Sequence, residues 1–147
     1  KLDFVHPVLQ NFYIGGNYTW SASNVQLNAQ NLMAQTTNDR PLQGHSAQIF
    51  NFQIGYDNPA WKTQATLLYN ISSKRIMAAG VLGAPDKYEQ PVHQLDFVLS
   101  QNLYKGLSMQ ASMQNLLDDD IRITQGDEIT RQFRRGRFFN LSVRLAY

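Results

Sequence analysis

From Phe139 to Tyr147, large apolar side chains alternate with small or polar ones, and this pattern constrains the fold more than any other feature. The apolar positions are Phe139, Leu141, Val143, Leu145 and Tyr147. The positions between them are Asn140, Ser142, Arg144 and Ala146. A β-strand requires this period of two when one face meets an apolar environment and the other meets water. The pattern therefore predicts a final strand with one apolar face.

Five earlier segments repeat the alternation, so the chain is predicted to form six antiparallel strands. They cover about residues 11–25, 46–56, 62–72, 92–101 and 107–117. Leu68 and Val98 interrupt the polar faces without reversing the pattern. Each segment has about the 9–11 residues, or more, that a tilted strand needs to cross a bilayer. The repetition favours a transmembrane β-barrel over the alternative of a soluble β-domain.

The predicted connections fall into two length classes. Two are short, at residues 57–60 and 102–106, and three are long, at residues 26–45, 73–91 and 118–136. Short turns on one side and long loops on the other are typical of bacterial outer-membrane barrels, in which the long loops are extracellular. The predicted location is therefore the cell outer membrane, with a periplasmic C-terminus.

Aromatic residues follow the same division between the two ends of the strands. Those predicted at the short-turn ends are Tyr56, Trp61, Tyr104 and Tyr147. Those predicted toward the long-loop ends are Tyr18, Trp20, Phe50 and Tyr69. Because amphipathic rings prefer the two membrane interfaces, this sorting supports a sheet that crosses a bilayer.

Composition excludes several classes of protein. Charged residues make up 16% of the chain, below the roughly 25% of typical soluble domains. The chain has no Cys, which excludes a disulfide framework and thiolate metal sites. A net charge of +2 is too small to indicate a nucleic-acid partner. Since no apolar run approaches the ~20 residues of a membrane helix, a membrane role must depend on strands.

Six strands are too few to close a barrel. The smallest single-chain outer-membrane barrels have about eight strands, and open edges in lipid leave costly unpaired backbone groups. We therefore expect residues 1–147 to be one partial domain: about six C-terminal strands of a larger up-and-down antiparallel barrel. An association of several copies is the alternative. Residues 1–10 are predicted to end an earlier strand at Pro7, and the absence of a signal-peptide pattern indicates a processed or partial chain.

An ordered series of short motifs also runs along the chain. They are RPLQGHS at 40–46, GYDNP at 55–59, LLYN at 67–70, KRI at 74–76, PDKYEQP at 85–91, NLLD at 115–118, TQGD at 124–127 and RRGR at 134–137. In this order they resemble the C-terminal end of TonB-dependent outer-membrane receptors. The chain departs from that pattern at His45, Ala47 and Val92, where the family often has Gln, Pro and Arg. These departures leave the subfamily open.

The resemblance implies a 22-stranded barrel with an N-terminal plug that imports a scarce nutrient, such as a ferric siderophore, cobalamin or a glycan. TonB would supply energy through the plug, and this chain would supply barrel wall and extracellular loops. Its expected partners are outer-membrane lipid and lipopolysaccharide, the rest of the barrel, and the barrel-assembly machinery. That machinery would read the final aromatic strand, from Phe139 to Tyr147. The alternatives are a porin, channel or secretion component, an enzyme on a barrel, and a soluble lipocalin-like or lectin-like binding module.

The sequence predicts no catalytic, cofactor or metal site. His6, His45 and His93 do not have the spacing of metal ligands, and residues 118–120 do not fit a calcium loop. A basic cluster has three possible roles: pairing with acidic residues of the last hairpin, which is favoured, contact with lipopolysaccharide phosphates, or attraction of an anionic ligand. The cluster comprises Arg131, Arg134, Arg135 and Arg137. Arg144 is predicted to face the lumen and to pair with a carboxylate there, such as Asp96 or one in the plug.

Overall fold

The computed structural model describes residues 9–26, 35–37, 39–104 and 106–146. Within these ranges the chain is all-β with antiparallel sheets, apart from a single 3-10 turn at Leu9–Asn11. The strands are β1 Phe12–Trp20, β2 Val25–Gln26, β3 Asp39–Arg40, β4 Gln48–Asn58, β5 Thr63–Ser72, β6 Arg75–Ala78, β7 Lys87–Glu89, β8 His93–Asn102, β9 Leu107–Gln114, β10 Ile121–Gln125, β11 Glu128–Phe133 and β12 Phe138–Leu145.

Six of these strands form the main sheet, in the order β1-β4-β5-β8-β9-β12. They are the six strands that the alternation predicts, and each pairs with the next of them along the chain. Two are shorter than predicted. The first ends at Trp20, and the fifth ends at Gln114 because Asn115 has a φ of 56°, which the ladder does not allow. Tyr147 and the predicted strand end before Pro7 lie outside the described residues.

The register of the main sheet places all the predicted apolar faces on one side. One row crosses the six strands through Ile14, Ile54, Leu67, Phe97, Met113 and Phe139. Directly paired residues in an antiparallel sheet share a face, so matching apolar positions extend the pattern of each strand across the sheet. The main sheet therefore has one apolar face and one polar face.

The three long connections contain further strands, which the sequence pattern did not predict. A four-stranded sheet in the order β11-β10-β7-β6 joins the second and third connections, and we call it the loop sheet. The first connection holds the β2–β3 pair and bonds to the second through Thr36 N–H, which donates to Gly80 O at 3.0 Å. All three connections leave the same end of the main sheet and are linked there by backbone hydrogen bonds.

The hydrophobic core lies in the loop sheet rather than in the main sheet. Among the described residues, the buried hydrophobic side chains are Ile76, Ile121 and Ile123, with exposed fractions of 1%, 3% and 4%. The accessible surface is 10710 Å², whereas a compact monomer of this mass has about 7,700 Å². Among the described residues no second layer covers the main sheet, and this exposed single layer contributes to the excess.

The two short turns have defined chemistry at the opposite end of the main sheet. The β4–β5 turn closes with Lys62 N–H donating to Pro59 O at 3.2 Å, and Asn58 Oδ1 accepts from Trp61 N–H at 3.1 Å. In the β8–β9 turn, Gly106 has a φ of 77° and a Cβ there would lie 2.1 Å from Ala146 O. Only glycine fits that position.

Candidate functional site

The apolar face of the main sheet is an extended surface of exposed hydrophobic side chains. Its side chains are exposed on both edge strands, as at Ile14 of β1 and Leu141 of β12. Even residues of the inner strands, such as Ile54 and Leu67, remain exposed. Soluble monomers rarely expose a contiguous apolar patch larger than a few hundred Å². This face therefore requires an apolar environment or a partner surface.

Aromatic residues border the apolar face at both ends of its strands. At the long-connection end, the Phe50 and Tyr69 rings lie 6.5 Å apart, and the Tyr69 hydroxyl is 2.6 Å from His93 Nδ1. At the short-turn end, the Phe12 and Tyr56 rings lie 5.0 Å apart. Each end thus combines apolar ring surface with polar atoms at the tips, as side chains at a membrane interface do.

The polar face carries a ladder of amide side chains. Asn51 Nδ2 donates to Asn17 Oδ1 at 2.8 Å, and Asn70 Nδ2 donates to Asn51 Oδ1. Next to Asn70 in the register is Gln94, which donates to Asp96 Oδ2 at 3.0 Å. An open groove of about 410 Å³ follows these residues. Such a neutral, hydrogen-bonding surface suits contact with water or with another polar surface.

A tyrosine and a glycine form a second cross-strand feature of the polar face. Tyr13 lies opposite Gly55, and its hydroxyl reaches Thr66 Oγ1 on the next strand at 3.2 Å. A Cβ at Gly55 would lie 1.9 Å from the Tyr13 ring. The ring therefore occupies the space above the glycine. The alternation of their strands puts Tyr13 and Gly55 at polar-face positions but does not show that they pair, because register is set by the whole sheet.

Asn115 and Asp118, which bound the NLLD motif, join the main sheet to the last long connection. Asp96 Oδ1 accepts from Asn115 N–H at 2.8 Å. Asn115 Nδ2 donates to Gly136 O at 2.7 Å, and Gly136 N–H donates to Asp118 Oδ1 at 3.0 Å. Asn115 and Asp118 have φ values of 56° and 48°, which Asn and Asp tolerate better than most residues. The motif therefore has a structural role at this junction.

The other acidic residues after this motif are also engaged. Asp119 Oδ2 accepts from His93 N–H at 3.0 Å, and Asp120 Oδ1 accepts from Arg134 Nε at 2.7 Å. The Arg134 hydrogen bond holds the pKa of the Asp120 carboxyl below its ordinary value of 3.8. Within the described ranges, no three His, Asp or Glu side chains converge as metal ligands would.

The predicted pairing of the basic cluster with the last hairpin is confirmed for Arg134 only. Arg137 Nε donates to Leu116 O at 2.9 Å, and the Arg131 guanidinium lies 4.8 Å from the centroid of the Phe133 ring. Arg135 is exposed. Across the described part of the chain, Arg131, Arg135 and Arg137 form no ion pair. The cluster therefore keeps positive charge at the surface of the last connection.

Arg144 does not pair with Asp96, so that one of the two predicted partners is wrong, whereas pairing with a carboxylate of the plug stays a prediction. Arg144 lies opposite Ser108, close to the short-turn end of the sheet. Asp96 lies opposite Leu68, several rows toward the other end, and bonds to Gln94 and Asn115.

The predicted assembly-signal residues all lie on the exposed apolar face of the edge strand β12, except Tyr147, which is not described. They are Phe139, Leu141, Val143 and Leu145.

The histidines have structural hydrogen bonds that the sequence did not predict. The His45 ring lies between two hydroxyls, with Ser21 Oγ 2.8 Å from Nε2 and Ser23 Oγ 2.8 Å from Nδ1. Ser23 Oγ also accepts from Leu42 N–H at 3.1 Å. His45 therefore fixes the start of the first long connection against the chain that returns to β4. His6 lies outside the described residues.

Two of the sequence motifs meet in the loop sheet. Arg75, at the start of β6, donates to both carboxylate oxygens of Glu89 on β7, with Nη2 at 2.9 and 3.0 Å. Lys74 Nζ lies 5.2 Å from the centroid of the Tyr88 ring. The KRI motif and the central part of the PDKYEQP motif are thus paired strands. Their charged residues hold together the second long connection.

Comparison with protein-family models, with curated proteins and with solved structures finds no match for this chain. No helix in the described ranges is both long and apolar enough to cross a membrane. The features that bear on function are therefore the two faces of the main sheet, its edges and its long connections.

Proposed function

We propose that this chain is the C-terminal barrel segment of a TonB-dependent transporter in the bacterial outer membrane. The observation that carries the proposal is the continuous apolar face of the main sheet. It crosses all six strands, borders aromatic residues at both ends and has no covering layer among the described residues. In this proposal lipid covers the apolar face, and the polar face lines the barrel interior.

The edges of the main sheet support a larger barrel. Strands β1 and β12 stand at the two ends of the strand order, so each has an unpaired row of backbone groups within the described sheet. In hydrocarbon, each such group costs several kcal/mol. Further strands must therefore pair with both edges, and in this proposal they come from the same transporter.

The connections support the orientation of the barrel. All three long connections lie at one end of the sheet, and both short turns lie at the other. Outer-membrane barrels have their long loops outside the cell, so in this proposal the final residues would lie in the periplasm. The linked long connections and the loop sheet would then form part of the extracellular vestibule.

The TonB-dependent class rests on the ordered motifs, several of which occupy junctions of the structure. The chain would act without catalysis or a bound cofactor. It would contact lipid and lipopolysaccharide outside and the plug inside, and TonB would act through that plug. The residues Phe139–Tyr147 would form the signal for the barrel-assembly machinery, and the surface arginines would face lipopolysaccharide or an anionic nutrient.

Membrane fractionation and uptake measurements on the full-length protein test the proposal. We expect the protein in the outer-membrane fraction, with a heat-dependent mobility shift in detergent gels that is typical of folded barrels. We also expect its nutrient uptake to stop when the proton gradient is collapsed. Uptake that continues without the gradient would indicate a porin or channel. A monodisperse soluble protein without detergent would contradict a membrane location.

A further inference from the structure

A cavity of about 440 Å³ lies where the main sheet meets the loop sheet, at the long-connection end. Its lining includes Trp20 from the apolar face, the cationic residues Lys74 and Arg75, and the hydroxyls of Ser21 and Ser73. Its volume is within the range of about 300–1,000 Å³ that small-molecule sites occupy. The first and second long connections both contribute, so the site depends on the tertiary fold.

The cations that line the cavity retain capacity to bind an anion. Lys74 contacts the Tyr88 ring and forms no ion pair with a described carboxylate. Arg75 bonds to Glu89 through Nε and Nη2, which leaves its Nη1 group without a partner in the described part of the chain. Glu89 balances one of the two positive charges. A phosphate group is the complementary ligand, because it accepts several charge-assisted hydrogen bonds at once.

The position of the cavity indicates the source of that phosphate. Trp20 ends the β1 row of the apolar face and stands beside Tyr18 and Phe50, which are also exposed. Under the proposed membrane location, this is the boundary between hydrocarbon and headgroups. A free phosphate would contact the cations alone, whereas a lipid would contact both the cations and the aromatic surface.

We infer that this cavity binds the phosphate-bearing headgroup of an outer-leaflet lipid, with the acyl chains lying along the apolar face beside Tyr18 and Phe50. The inference rests on the proposed membrane location. It assigns the lipid contact to Lys74, Arg75 and Trp20. The surface arginines of the last connection lie on another element, and one of them is already neutralised by Asp120.

The test uses the full-length protein in neutral detergent, with lipid A as the probe and native mass spectrometry as the readout. Lys74→Gln should weaken lipid A binding about fivefold, since one cation near a membrane surface contributes about 1 kcal/mol. Trp20→Ala should weaken it as well. The matched controls are Lys62→Gln and Trp61→Ala in a short turn. Trp61 is 69% exposed and Trp20 is 68% exposed, so the control tests position rather than exposure.

The outcomes separate this inference from the proposed function. Equal binding by the Lys74 and Lys62 variants would overturn the site. If inorganic phosphate displaces lipid A at a concentration similar to that of the lipid, and Trp20→Ala does not change lipid A binding, the cavity is a small-anion site instead. Membrane insertion of each protein is measured in parallel by the heat-dependent mobility shift. If all variants insert normally and Lys74→Gln does not weaken lipid A binding, only the lipid site is rejected. If the wild-type protein fails to insert, the proposed function is rejected.

Discussion

Gly55 is the residue whose identity the structure explains most directly. Tyr13 lies across it and reaches Thr66, so one side chain spans three neighbouring strands. An aromatic ring over a glycine covers backbone that would otherwise be exposed and fixes the pairing of the two strands. This register therefore requires a residue without a side chain at Gly55.

Gly55→Val is expected to destabilise the main sheet by about 1–3 kcal/mol, the usual cost of overpacking. The new Cβ would lie 1.9 Å from the Tyr13 ring, which must move and lose its hydrogen bond to Thr66. Urea unfolding of the membrane-inserted protein measures the change. Gly15→Ala is the control, because its Cβ would meet only the flexible side chain of Gln53, whose Nε2 would lie 2.9 Å away. Equal effects of the two substitutions would contradict the packing argument.

At the scale of the element, β12 presents opposite chemistry on neighbouring residues. Leu141 lies on the apolar face and is 64% exposed. Ser142 lies opposite Gln110 on the polar face. The alternation seen in the sequence thus puts the apolar and the polar residues of β12 on opposite faces, although only the neighbouring strand β9 fixes which face is continuous with the rest of the sheet.

Leu141→Arg should impair membrane insertion strongly, whereas Ser142→Arg should have little effect. Arginine on the lipid face of a barrel costs about 2–4 kcal/mol near the middle of the bilayer, while the interior face tolerates charge. The fraction of heat-shifted, folded protein in outer-membrane preparations measures the difference. Equal insertion of the two variants would show that lipid does not cover the Leu141 face.

The β10–β11 hairpin has an electrostatic contact of its own. Asp120 and Arg134, which flank the hairpin, form an ion pair. Gln132 Nε2 also donates to Asp120 Oδ2 at 2.9 Å. The hydrogen bond from Arg134 lowers the pKa of Asp120 in the folded state. A lowered carboxyl pKa contributes stability above the unfolded-state value and loses it as the pH falls through the folded-state value.

We therefore expect hairpin protection against hydrogen exchange to decrease as the pH falls below about 4. The decrease, corrected for intrinsic exchange rates, should be absent in Asp120→Asn, which lacks the ionised carboxylate at every pH. Asp127→Asn is the control, since Asp127 lies exposed in the same hairpin turn. A pH response that persists in the Asp120 variant would assign it to another group.

At the scale of the whole molecule, the described chain is a single-layer sheet with a small core at one end. The accessible surface of 10710 Å² far exceeds that of a compact monomer of this mass. The two sheet edges and the apolar face all need partners. Under the proposed membrane location lipid covers the face, and only other strands can satisfy the edges.

The 147-residue chain expressed alone should therefore not form a folded monomer, even in detergent. We expect aggregates or an assembly in which several copies share their edges, because six strands leave both edges open. Light scattering combined with circular dichroism distinguishes these states. A folded monomer in a micelle would contradict the requirement for further strands.

The sequence by itself determined the local features of the fold. Alternation depends only on residues two apart, so it predicted the type and approximate position of the six main strands. The absence of cysteine was equally readable. The short motifs could be found in the sequence, but the contacts they make in the structure could not be predicted from it.

Only the tertiary structure decided which residues meet across strands. The amide ladder, the Tyr13–Gly55 pair and the Arg75–Glu89 pair depend on register, which a one-residue shift would change completely. The loop sheet and its core of Ile76, Ile121 and Ile123 depend on contacts between separate connections. The same reason explains the wrong Arg144–Asp96 pairing. Both residues were placed on the correct face, but the distance between them along the sheet is a property of the assembled strands.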